Sequence, residues 1–97
     1  MVEHLVWFKL KEGITQDEKA TLMQSLRDLK NQVPDILQLA VGEDFSGRSR
    51  GFEMGLVVRF PNRQALEIYG PHPSHEAFIE KCKHLWVDVQ ALDFETE

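Results

Sequence analysis

The sequence predicts an α+β fold, a four-stranded antiparallel sheet with its helices on one face. Three observations predict it. Segments of period-two apolar alternation and segments of helical periodicity follow one another in the order β-α-β-β-α-α-β. Glycines, prolines and polar clusters separate these segments, and no repeat, low-complexity tract or linker interrupts them. The strands carry bulky apolar side chains on both sides, so both sheet faces need a cover.

The first strand runs from Val2 to Leu10. Val2, His4, Val6, Phe8 and Leu10 share one face, with Leu5 and Trp7 on the other. Thr15, with Glu18 three residues later, makes a capping-box pattern. Behind it Leu22, Leu26, Leu29 and Val33 form one helical stripe, which Pro34 ends because the residue before proline is pushed out of the helical region. Residues 36–42 alternate as a second strand, with Leu37, Leu39 and Val41 against Gln38 and Ala40. Residues 43–51 read as a polar loop and residues 52–60 as a third strand. In that third strand Phe52, Met54, Leu56, Val58 and Phe60 share one face. Asn62 caps a short helix through Ala65, Leu66 and Tyr69, which Gly70-Pro71 breaks. Pro73 opens a further helix with Phe78, Ile79, Cys82, Leu85 and Trp86 as its apolar stripe. Residues 87–94 form the last strand. This order is close to the split βαβ, ferredoxin-like arrangement. Helices cover one side of such a sheet, and a second copy of the chain packed sheet on sheet is the economical cover for the other.

Ninety-seven residues make one domain spanning 1–97. A chain this short buries only roughly 60–65% of its extended surface, so association would help it. Sixteen acidic residues against eleven basic ones give a net charge of −5, which disfavours nucleic acid and anionic membrane as partners. Cys82 is the single cysteine, so no intramolecular disulfide forms. The N-terminus lacks the pattern of a signal peptide, and no apolar segment approaches the roughly 20 residues that span a bilayer. The expectation is a cytoplasmic protein.

The densest cluster of proton-capable side chains is Tyr69-Gly70-Pro71-His72-Pro73-Ser74-His75. His75 falls in the first turn of a helix. There the positive end of the helix dipole and burial both favour a neutral imidazole, the form that acts as a general base. Tyr69 can supply a hydrogen bond to an enolate oxygen. His72, directly before Pro73, fits a helix-capping role. His4, between Val2 and Val6, is either a core histidine or the wall of a pocket. The histidines and Cys82 make no known zinc spacing, and neither metal nor cofactor is expected.

These residues resemble the stress-responsive dimeric α/β-barrel (Dabb) family over nearly the whole chain. The likeness rests on the opening strand from Val2 to Leu10, on Val33-Pro34-Asp35-Ile36 followed by Gly42-Glu43-Asp44, and most specifically on the Tyr-x-x-His-Pro-x-His signature from Tyr69 to His75. The resemblance implies a ferredoxin-like subunit that pairs with a second copy to close a barrel. It also implies His75 and Tyr69 as the catalytic pair and His4 as a further pocket histidine; the expectation is one ligand pocket between sheet and helices, with His4 and His72 at its wall or mouth. One plant member is a polyketide cyclase working without a redox cofactor, so a cofactor-independent cyclase, lyase or isomerase is the activity implied. A further histidine of that cyclase is replaced by Met54 here. The alternative is a stress-related binding or structural protein without turnover. A monooxygenase of the wider dimeric α/β-barrel group shares the fold but not the histidine signature.

Overall fold

The computed structural model describes residues 1–97. It contains β1 (Val2–Leu10), α1 (Gln16–Gln32), β2 (Gln38–Glu43), β3 (Met54–Phe60), α2 (Arg63–Tyr69), α3 (Pro73–Cys82), a 3-10 turn (Lys83–Leu85) and β4 (Trp86–Glu95). The four strands form one antiparallel sheet in the order β2-β3-β1-β4. β1 and β3, both rich in apolar residues, take the central places, where both edges of each are hydrogen-bonded.

Three devices in the sequence set the helices. The capping box is formed in full: the Thr15 side chain accepts from the Glu18 amide at 3.1 Å, and the Glu18 carboxylate accepts from the Thr15 amide at 3.0 Å. The Asn62 side chain accepts from the Ala65 amide at 2.9 Å to start α2. Pro73 occupies the first turn of α3, where its missing N–H costs nothing. Leu22, Leu26 and Leu29 bring the stripe of α1 onto the sheet, fully buried. Each such leucine contributes about 1.5–3 kcal/mol by leaving water. The inward face of β1 and β3 (Val2, Val6, Phe8, Leu10, Met54, Leu56, Val58 and Phe60) completes the core. Glu3 is the one buried charged residue; Arg59 at 2.9 Å and the Thr96 hydroxyl at 3.0 Å satisfy it.

Four boundaries depart from the periodic reading. β2 starts at Gln38, not at residue 36, because Asp35 takes the left-handed conformation (φ 64°) and turns the chain after Pro34; Ile36 is nonetheless buried. β3 starts at Met54. Ahead of it the Phe52 amide donates to the Ser49 carbonyl at 3.2 Å, closing a turn in which Arg50 and Gly51 have positive φ. The last helix stops at Cys82, so Leu85 belongs to the 3-10 turn and Trp86 opens β4. Ile79, expected in the stripe, is 36% exposed. The outer face of the sheet has no cover within the chain, and β4 lies exposed along nearly its whole length.

Candidate functional site

Helix α2 ends at Tyr69, and the Gly70 amide still donates to the Leu66 carbonyl. The Gly70-Pro71 turn then re-aims the chain, with the His72 amide donating to the Tyr69 carbonyl at 3.2 Å. The His72 side chain caps α3, its Nδ1 accepting from the Ser74 amide at 3.1 Å. The capping role read from the sequence is therefore the one His72 performs. One turn on, His75 folds back over the break, and its Nδ1 lies 2.9 Å from the Gly70 carbonyl oxygen. A carbonyl only accepts, so Nδ1 carries the proton. In the neutral ring Nε2 then keeps its lone pair.

This turn brings together the two residues expected to act as a pair, their rings tilted at 42°. The Tyr69 and His75 ring centroids are 4.3 Å apart. The Tyr69 ring also meets His4 edge-on at 5.7 Å and Phe60 at 5.2 Å. Phe78, 6.3 Å from His75, flanks the cluster. Burial holds the half-buried His75 imidazole below its usual pKa; the Gly70 carbonyl opposes this, and the neighbouring His4 reinforces it. Burial also pushes the Tyr69 phenol well above its usual range. At neutral pH the pair is thus an unprotonated imidazole beside a protonated phenol, a base next to a hydrogen-bond donor.

Sequence reasoning missed one further residue, Asp93. The β1–β4 register sets His4 opposite Asp93, and His4 Nδ1 is hydrogen-bonded to the Asp93 carboxylate. A carboxylate on Nδ1 fixes the ring's orientation and tautomer and directs Nε2 away from it. The only local signal was a carboxylate sharing a face of the last strand with Val89 and Ala91. The partner lies 89 residues away in sequence, which no periodicity reveals.

The clefts of the molecule fall beside this cluster, not in it. The largest, about 440 Å³, lies at the β2–β3 loop, where Trp7, Phe45 and Phe52 line it. It contains none of the expected site residues. A groove of about 370 Å³ opens between α2 and the end of β4; Val2 and Leu66 line it together with Arg63, Glu67, Asp93 and Glu95. Through Asp93 this groove adjoins His4. His4, Tyr69, His72 and His75 themselves line no cleft, because aromatic rings fill the space between sheet and helices. The pocket expected there is a packed cluster with a groove at its side. No three His, Cys, Asp or Glu side chains converge in a way that would hold a metal ion. No helix is long and apolar enough to cross a membrane.

The family model for the stress responsive A/B barrel domain matches residues 2–96. Olivetolic acid cyclase of Cannabis sativa is 24% identical over 95 residues, covering 96% of this chain and 94% of the cyclase. A dimeric ferredoxin-like protein of unknown function from Thermobifida fusca superposes with a TM-score of 0.85 at 20% identity, over 98% of this chain and 90% of that one. Hydroxynitrile lyase from Passiflora edulis superposes with a TM-score of 0.86 at 18% identity, over 96% and 90%.

Proposed function

The chain belongs to the stress responsive A/B barrel domain family, and we propose that it binds a small carbonyl compound and performs acid–base chemistry on it without a cofactor. The observation behind this reading is the convergence of His75 and His4 on the ring of Tyr69, each imidazole with Nδ1 committed to a protein group. His75 Nε2 takes a proton from the carbon next to the carbonyl, and the Tyr69 hydroxyl donates a hydrogen bond to the oxygen as negative charge gathers there. His4, oriented by Asp93, sits behind that residue at the edge of the groove, and His72 holds the turn on the other side. A positioned base contributes about 10²–10⁴-fold, and one oxyanion donor about 10²–10³-fold. The cyclase and the lyase among the similar proteins support small-molecule chemistry as the setting.

The test is hydrogen–deuterium exchange at the α-carbon of small ketones, followed by NMR. The protein should accelerate exchange, His75→Ala should abolish the acceleration, and Tyr69→Phe should lower it by about 10²-fold while leaving the fold intact. Equal exchange with and without the protein across such ketones would sink the enzymatic reading. A second reading, a binding or structural protein without turnover, is favoured by the filled space around the three rings, which leaves a ligand only the neighbouring groove. It predicts thermal stabilisation by a ketone with no exchange.

We further propose a homodimer formed through the outer sheet face. Val57, Leu92 and Phe94 stand 41%, 53% and 44% exposed there beside Leu5 and Trp7, and similar folds are described as dimeric. A contiguous apolar face of this kind marks an interface.

A further inference from the structure

The groove between α2 and β4 is the opening that adjoins His4, so its walls meet an incoming ligand first. Their charges are unequal. Glu67, Asp93 and Glu95 bring three carboxylates against the single guanidinium of Arg63. That guanidinium is already engaged by Glu95, its Nε 2.9 Å from the carboxylate oxygen. Asp93 is bonded to His4, and Glu67 has no cationic partner. The apolar part of the wall, Val2, Leu66 and Phe94, suits the hydrocarbon body of a small molecule. About 370 Å³ is at the small end of ligand pockets, which run from roughly 300 to 1,000 Å³. The net charge of −5 on the whole chain adds to the same local field.

We propose that this groove selects by charge: the site takes small uncharged or cationic carbonyl compounds and rejects carboxylates, with Glu67 and Glu95 as the selecting groups. The inference rests on the functional reading above and narrows its substrate class. An anion entering the groove meets the unpaired carboxylate of Glu67, while the one cation among the lining side chains, Arg63, is already held by Glu95. A neutral ketone meets no such barrier, and an ammonium group gains from Glu67. The walls are solvent-exposed, so salt must weaken the selection; exposed charges are screened over about 8–10 Å near physiological ionic strength.

The experiment uses the full chain and three matched probes: acetophenone, its para-carboxylate and its para-aminomethyl derivative. Kd is measured for each, with NMR shifts of His4 and Tyr69 locating the binding. At low salt the carboxylate should bind about tenfold more weakly than acetophenone, the cationic probe at least as tightly, and high salt should narrow the gap. Glu67→Gln with Glu95→Gln, both at the groove wall, should close it by freeing Arg63 and removing two negative charges; Glu67→Gln alone should close part of it. If acetophenone and its carboxylate bind equally while His4 and Tyr69 shift, the charge selection is overturned and the functional reading survives. If no probe binds, or the shifts fall elsewhere, both are overturned.

Discussion

The imidazole of His75 sits where two local forces oppose each other. Burial and the neighbouring His4 lower its affinity for a proton, and the Gly70 carbonyl raises it; burial dominates. A histidine whose folded pKa is depressed binds its proton more readily in the unfolded chain, so lowering the pH favours unfolding. Its contribution to stability is fully present above the unfolded value of about 6.5 and is lost as pH falls through the folded value. Thermal melts should therefore show Tm falling below about pH 6.5, and His75→Gln should flatten that part of the profile. An identical slope in wild type and variant would show that the group does not titrate as described. The sequence named His72 as the cap correctly, and set His75 in the first turn of the same helix, because both placements are local: a proline, a helix start and a short turn define them. Asp93 stayed invisible because its role exists only through the β1–β4 register.

Among the elements, α1 is the best specified. Lys11 hydrogen-bonds Glu18 at 2.8 Å, and the Thr15 amide does so at 3.0 Å; the lysine first and then the amide hold the Glu18 carboxyl below its usual pKa. Thr15→Ala removes the side-chain cap and should cost about 1 kcal/mol. In a domain of this size that lowers Tm by about 4–8 °C, readable by circular dichroism, and a shift under a degree would show that the box contributes little. Periodicity found every helix and strand, since burial imposes a period of 3.6 or 2 on whichever side faces the core. It missed the boundaries near residues 35, 50 and 83, where left-handed Asp35 and Arg50 and a 3-10 turn override the apolar pattern.

At the scale of the whole molecule the unsolved surface is the outer sheet face. Leu92 stands opposite Leu5 in the β1–β4 register and is 53% exposed. If a second copy covers this face, Leu92→Glu buries a charge at the interface and should convert a dimer to a monomer in sedimentation at micromolar concentration, without unfolding the subunit. A wild-type chain that sediments as a monomer under the same conditions would remove the dimer. Dimerisation matters for the fold's economy, because β4 is a ten-residue edge strand exposed on both faces, a surface that natural proteins normally cover.

The sequence by itself determined the elements, the faces they bury and the place of the Tyr69–His75 turn. Each of these follows from alternation, helical spacing or turn chemistry within a few residues. Only the tertiary structure decided that β1 lies between β3 and β4, that Asp93 holds His4, and that the opening is a charged groove at α2 rather than a cavity among the rings. Strand order and register are long-range choices. A strand's pattern says which side chains face inward and leaves open which strand becomes its neighbour. The groove's character depends on Glu67, Asp93 and Glu95 meeting from two elements that no local signal connects.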